Sequence, residues 1–279
     1  MRIHDVFVKA LLLALKLQQA AESADKDEEI ELWRYVRAHL VFIFRAGQVY
    51  RFEDYLRSLD PARTSLVSPA CGTHEDALSQ QAMALLLRTH EEMTEPEQKQ
   101  LVHILIDLLN FIAETGQHDE FDEHRRTFHE APPLTLAHFD TREEAEAWLK
   151  GLAEPPSSES YILIGDEYYV VWYSREDSIR GLHRDYVMEL WLKAFTEKGL
   201  PAAVASVNTR EEAKQWLKTH PAPPMAFIII AGEHHLAAYH RRLARHTLHP
   251  LSSLKEWEAE KKRRAQEPEA ADDDSVSEE

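Results

Sequence analysis

Asp140-Thr141-Arg142-Glu143-Glu144-Ala145, followed by Trp148-Leu149-Lys150, recurs as Asn208-Thr209-Arg210-Glu211-Glu212-Ala213, followed by Trp216-Leu217-Lys218. The offset between the copies is constant, and it carries Pro155-Pro156 onto Pro223-Pro224. After a two-residue deletion, Tyr161-Ile162-Leu163-Ile164-Gly165-Asp166-Glu167 matches Phe227-Ile228-Ile229-Ile230-Ala231-Gly232-Glu233. Similarity sustained over this length is the mark of a duplicated supersecondary unit.

Each copy has a mechanical reading. A short strand (134–139, then 202–207) enters a helix capped by Thr141 or Thr209. The threonine hydroxyl is expected to accept the N3 amide while Glu144 or Glu212 bonds back. The diproline stops the helix, because proline lacks the amide proton and clashes with the preceding turn. Apolar β-formers around Gly165-Asp166 and Ala231-Gly232 then predict a hairpin. A second helix follows at 182–198 and at 251–264. The unit reads β-α-β-β-α, and the strand at Ala202 is expected to complete a ferredoxin-like βαββαβ in the first copy.

Upstream of the repeats the pattern is helical. The first stretch has Arg2 before an apolar run, a superficial likeness to a signal peptide, but Lys9 and Lys16 interrupt it and no small-x-small site follows. It reads as an amphipathic core helix with Val6, Ala10, Leu13 and Leu17 on its buried stripe. Asp25 with Glu28 predicts a capping box for a helix through Arg45 that Gly47 ends. A shorter helix is expected at 51–59, a loop at 64–73 and another helix at 75–90. Thr94, Pro96 and Glu97 predict the start of a helix through Glu114, striped by Leu101, Ile104, Leu105, Leu108 and Ile112 and ended by Gly116. A polar helix at 119–128 leads into Ala131-Pro132-Pro133, a linker signal.

The fold class that results is α+β. A helical half (1–130) and a linker (131–133) precede two tandem repeats (134–200 and 201–266) and an acidic tail (267–279). That tail, with Asp272-Asp273-Asp274 and Glu278-Glu279, is too polar to order itself and is expected to be disordered.

Composition narrows the chemistry. Acidic residues outnumber basic ones by 49 to 32, so the long-range field repels nucleic-acid backbones and acidic membranes. Between Pro201 and Pro250 the balance reverses: Arg210, Lys214, Lys218, Arg241, Arg242 and Arg245 face only Glu211, Glu212 and Glu233. A solvated surface accounts for such a window, and an anion site is the sharper alternative. The single cysteine, Cys71, excludes an internal disulfide and fits a reducing, cytoplasmic setting. No apolar run has the ~20 residues of a membrane span.

The eight glycines are scattered, so neither a dinucleotide-binding turn nor a phosphate loop is present. No G-x-S-x-G elbow, H-E-x-x-H pair or E-x-x-H pair occurs. No cofactor is expected. His234, His235, His240, His246 and His249 cluster in the second copy, and His234 and His240 would share one face of a strand, which makes zinc-type ligation conceivable. Against it, His234 and His235 fall where the first copy has Tyr168 and Tyr169, so the position asks for a flat amphipathic ring. His118, His124 and His129 with Asp119 and Glu120 read as a polar helix. Cys71 with His74 reads as an ordinary loop pair, since nothing nearby lowers the thiol pKa.

Tyr168-Tyr169-Val170-Val171-Trp172-Tyr173 is apolar on both faces, and so is its neighbour 161–164. One face therefore needs a cover: the helical half, the second repeat, another copy of the chain or a different protein. The residues expected to meet a partner are Tyr168, Tyr169, Trp172, Tyr173, His234 and His235. The favoured function is a non-catalytic, cytoplasmic, regulatory protein, an inhibitor or immunity-type partner of a protease or toxin, with a basic protein steered by the acidic surface. A metal-dependent enzyme using the second-copy histidines is the first alternative. The second is an anion or nucleic-acid sensor built on the basic window, with the acidic tail as autoinhibitor.

Overall fold

The structure is a computed structural model, and it describes residues 2–72, 76–128, 130–197 and 199–266. Thr73, His74, His129 and the acidic tail lie outside the described residues. The helical half comprises α1 (Ile3–Ser23), α2 (Asp27–Arg45), α3 (Val49–Ser58), α4 (Ala77–Glu92), α5 (Pro96–Glu114) and α6 (His118–Thr127). Most of the apolar stripes are buried where the 3.6-residue period puts them, and α5 sits centrally, touching α1, α2, α3 and α4.

Two expected helix starts are corrected. Asp25 takes a left-handed φ of 51° and no side chain caps α2, so the Asp25–Glu28 box does not form. Thr94 does not cap α5 either, because Glu97 turns away to Lys9 Nζ at 2.7 Å. On α1, Leu17 is only partly buried and the neighbouring Gln18 takes the inner position, where Arg37 donates to its carbonyl at 2.6 Å.

The first repeat runs β1 (Thr135–Phe139), α7 (Arg142–Gly151), β2 (Tyr161–Ile164), β3 (Glu167–Ser174), β4 (Ile179–Asp185) and α8 (Val187–Thr196). The second runs β5 (Ala205–Val207), α9 (Arg210–Thr219), β6 (Met225–Ile230), β7 (Glu233–His240), β8 (Arg245–Pro250) and α10 (Ser253–Gln266). The duplicated sequence is thus a duplicated structure. Thr141 Oγ1 accepts the Glu144 amide at 3.2 Å, and Thr209 Oγ1 accepts that of Glu212 at 3.1 Å. The motif arginines repeat as well: Arg142 reaches the Leu182 carbonyl at 3.4 Å and Arg210 the Leu248 carbonyl at 3.0 Å, tying each helix start to the last strand of its sheet.

The α+β class and the helical-then-duplicated order stand as read, while the strand order inside each repeat differs from the ferredoxin-like one. The sheets run β1-β2-β3-β4 and β5-β6-β7-β8. β1 lies directly beside β2 and β5 beside β6, both parallel, so no strand is inserted between them. The strand near Ala202 belongs to the second sheet and does not complete the first. Each repeat also gains a strand: β4 takes the place of the expected start of the second helix at 182, and β8 lies just before the helix expected from 251. Those segments, Ile179-Arg-Gly-Leu-His-Arg-Asp185 and Arg245-His-Thr-Leu-His-Pro250, are sheet edges, where charged and polar residues hide the alternation that betrays an inner strand.

The chain divides into two compact units, Met1–Gly165 with Tyr169–His183, and Asp166–Tyr168 with Arg184–Glu279. In the first, the helical half and the first sheet share one core: Val171, Tyr173, Ile162 and Leu182 join the helical cluster. The cover for that face of β3 is therefore intramolecular. Tyr50 sits edge-on to Tyr173 with 5.3 Å between ring centroids, and its hydroxyl accepts the Arg175 amide at 2.9 Å. Arg175 pairs with Asp54 at 2.8 Å and Glu53 at 3.0 Å, clamping the end of β3 to α3. In the second unit, α9 covers one sheet face through Ala213 and Leu217 against Ile228, Ile230, Ala237 and Leu248. Phe195 of α8 meets Phe227, which the strand alternation places on the opposite face.

Candidate anion-binding cleft

On α9 the repeat motif is followed by a one-turn spacing of lysines. Lys214 and Lys218 are four residues apart and so project from one side of the helix. The hairpin from β7 to β8 supplies the opposing wall. It turns through a short 3-10 segment at Arg241–Leu243 and a left-handed Ala244 at φ 49°, which sets Tyr239 opposite His246 and His240 opposite Arg245. Between them, Lys214, Leu217, Lys218, His220, Pro221, Ala222, Tyr239, Ala244, Arg245 and His246 line a cleft of about 500 Å³. No aspartate or glutamate is among these lining residues.

The charges differ in how they are held. Neither lysine is engaged by a carboxylate among the described residues, so both ammonium groups are free to meet a ligand. Arg245 is anchored, with its Nη2 3.3 Å from Asp166 Oδ1. Asp166 also accepts from Arg210 and from the Leu248 amide at 3.3 Å. The two imidazoles act as flat walls: His220 stacks on Trp216 with centroids 4.5 Å apart, and His246 lies 4.7 Å from the Tyr239 ring. Burial lowers the His246 pKa, which leaves that ring neutral at pH 7 and able to hydrogen-bond without adding charge. The lining, which combines Lys214 and Lys218 with Leu217, Pro221, Ala222 and Tyr239, suits a small anion with an apolar or planar body.

The six residues expected to meet a partner fall in different settings. Tyr168 is 2% exposed and its hydroxyl lies 3.2 Å from His240 Nε2. Tyr173 and His235 are buried, and Tyr169 and His234 are half-buried. Trp172 of β3 is 51% exposed, and Ile179 of β4 is 53% exposed.

The second-repeat histidines separate by strand face. His240 and His249 share one face and meet at the Thr247 hydroxyl, at 3.0 and 2.8 Å. His246 lies on the other face, because it pairs with Tyr239 while His249 pairs with Leu236. Burial pushes His249 down to about 4. Among the described residues no three histidine, cysteine, aspartate or glutamate side chains converge as metal ligands.

Cys71 donates to Asn110 Oδ1 at 3.3 Å, and burial pushes its thiol up to about 11, so it is no nucleophile at neutral pH. Asn110 also binds the Ser68 amide and the Leu66 carbonyl, pinning the loop across α5, and Arg63 pairs with Asp107 at 2.8 Å just beside it. This polar network fastens a loop.

The basic window in the sequence contained the three cations of the cleft. Tyr239 and Ala244 were not legible as its walls, since their role depends on the register of β7 and β8. Among the described residues no helix is long and apolar enough to cross a membrane. Comparison with protein-family models, with curated proteins and with solved structures finds no match to this chain.

Proposed function

We propose that the protein is a binding protein whose second repeat receives a small organic polyanion, bearing phosphate or carboxylate groups, in the cleft between α9 and the β7–β8 hairpin. The observation that carries this reading is the presence of Lys214 and Lys218, neither paired with a carboxylate among the described residues, in the lining of a concave site that holds no aspartate or glutamate, in a chain whose formal charge is -17. Its volume falls within the ~300–1,000 Å³ range of small-molecule sites. The overall charge favours a small ligand over a nucleic acid. Beyond a Debye length of ~8–10 Å a long polyanion meets the whole acidic protein, whereas a small one inside the cleft meets the local cations.

Titration calorimetry with inorganic pyrophosphate and, separately, citrate tests the reading and sorts phosphate from carboxylate. One of the two should bind with a dissociation constant below about 1 mM, weakening with added salt. Lys214→Glu with Lys218→Glu should weaken it about 100-fold while leaving the thermal midpoint unchanged, since both side chains lie at the surface. If neither probe binds, the reading fails. A stronger response to an oligonucleotide would redirect it to nucleic acid.

A second reading, a regulatory protein acting on another protein, draws on Trp172 and Ile179, both about half exposed on the first unit. Exposed tryptophan is a common anchor of protein interfaces. Trp172→Ser should then abolish recovery of a stoichiometric partner from the native organism without altering stability. Recovery of the same partner by the variant would dispose of this surface.

A further inference from the structure

The two repeats differ at a position that lies in the cleft. In the first repeat Arg180 of β4 follows Tyr173 at the same spacing as His246 of β8 follows Tyr239 in the second. Arg180 reaches the end of α7. Its Nη1 donates to the carbonyls of Leu149 at 3.0 Å, Lys150 at 3.2 Å and Leu152 at 3.0 Å, and its Cζ lies 5.7 Å from the centroid of the Tyr173 ring. The last carbonyls of a helix have no amide partners within it, and a guanidinium, with its fork of donors, can meet several of them together.

The duplication carries Leu149, Lys150 and Leu152 onto Leu217, Lys218 and His220, and these three line the cleft together with Tyr239 and His246. The cleft therefore takes the place that the Arg180 side chain fills in the first repeat. His246 packs on Tyr239 instead, with ring centroids 4.7 Å apart. Among the described residues nothing donates to the carbonyls of Leu217, Lys218 or His220. The His220 amide and ring and the Thr219 hydroxyl turn back to the Trp216 carbonyl, and Pro221, one helical turn after Leu217, has no N–H to give.

We propose that the ligand of the cleft is a small guanidino acid, which brings from outside the guanidinium that Arg180 supplies in the first repeat. This rests on the reading of the cleft as an anion site and narrows it. Carboxylates or phosphates answer Lys214 and Lys218, while the guanidinium answers the open carbonyls at the negative end of α9, with the Tyr239 ring as an aromatic wall. A bare polyanion satisfies the lysines alone and leaves those carbonyls unmet.

The test is titration calorimetry of the full chain with guanidinosuccinate, N-carbamoylaspartate and succinate. N-carbamoylaspartate keeps the shape of guanidinosuccinate with a neutral urea in place of the guanidinium, and succinate lacks the group. Guanidinosuccinate is expected to bind at least ~10-fold more tightly than either. His246→Arg, which rebuilds the first-repeat contact within the second, should bring the three affinities to within about 2-fold of one another without lowering the thermal midpoint. If that variant does not fold, the ranking of the three compounds on the wild type decides alone. Equal binding of all three to the wild type would overturn the inference and leave the cleft as an anion site. A preference for guanidinosuccinate that survives in folded His246→Arg would also overturn it, since the guanidinium would then sit elsewhere. Binding of pyrophosphate or citrate with none of the three would overturn the inference alone, and failure of all five compounds would overturn the two readings together.

Discussion

Gly47→Ala is expected to lower the stability of the first unit by about 3 kcal/mol, seen as a shift of its urea midpoint at unchanged slope. Gly47 follows α2 at φ +67°, a left-handed conformation that a residue with a Cβ adopts at a penalty of ~1–2 kcal/mol. Strain is only part of the effect. A Cβ built there would stand 2.6 Å from Pro156 Cβ and 2.7 Å from Ser160 Oγ. Neither neighbour yields easily, since the proline ring is rigid and the Ser160 hydroxyl is committed to the Ser157 carbonyl at 2.6 Å. Relief must come from moving α2 away from the loop before β2, which breaks the bond from the Ser157 amide to the Gly47 carbonyl at 3.1 Å. Gly116 provides the control. It follows α5 at the same φ of +67° but has nothing within 4 Å of a built Cβ, so Gly116→Ala should show the conformational penalty alone, ~1 kcal/mol. Equal effects at the two glycines would show that the helical half and the first repeat are not packed as closely as the Gly47 contacts require.

The same glycines illustrate what the sequence disclosed and what it hid. Both were readable as helix terminators, because a glycine after an apolar-periodic run supplies the left-handed turn a helix end requires. That Gly47 is pressed against Pro156 was not readable, since it depends on how two distant segments dock. The repeat was the strongest signal, and it fixed α7, α9, both hairpin turns and the threonine caps. The edge strands β4 and β8 were missed because their residues look like loop or helix, and with them went the wall of the cleft that Tyr239, Arg245 and His246 build. Lysine spacing on α9 was visible, but a lysine pair on an amphipathic helix is ordinarily solvated surface. It becomes a site only when a second wall faces it.

Acidification should destabilise both units between pH 6.5 and about 4, the first more steeply than the second. His39 of α2 is 1% exposed, with its ring 3.8 Å from Phe121 and its Nδ1 donating to the Tyr35 carbonyl at 2.9 Å. Burial pushes it down to about 3, and it pushes His124 of the same unit and His249 of the second down to about 4. An unfolded chain takes up protons on these rings near pH 6.5, while the folded chain does not. Below pH 6.5 the unfolded state therefore binds more protons, and stability falls as pH falls, by about 1.4 kcal/mol per pH unit for each such histidine. The loss levels off near pH 4 for His124 and His249, once the folded state protonates too, and continues to about pH 3 for His39. Asp107 and Glu189, whose carboxyl pKa values burial raises, work in the opposite direction, since each protonates more readily in the folded state. They reduce the slope without reversing it, because depressed histidines outnumber raised carboxyls in each unit: His4, His39, His90 and His124 against Asp107 in the first, His246 and His249 against Glu189 in the second. Urea midpoints measured at pH 7, 6 and 5 check the sign and which unit falls faster. His39→Phe, a ring of similar shape in an aromatic cluster with Tyr35 and Phe121, should remove one proton's share of the slope in the first unit and leave the second unchanged. A variant as acid-sensitive as the parent would mean that His39 is not the buried neutral ring that packing against Phe121 requires.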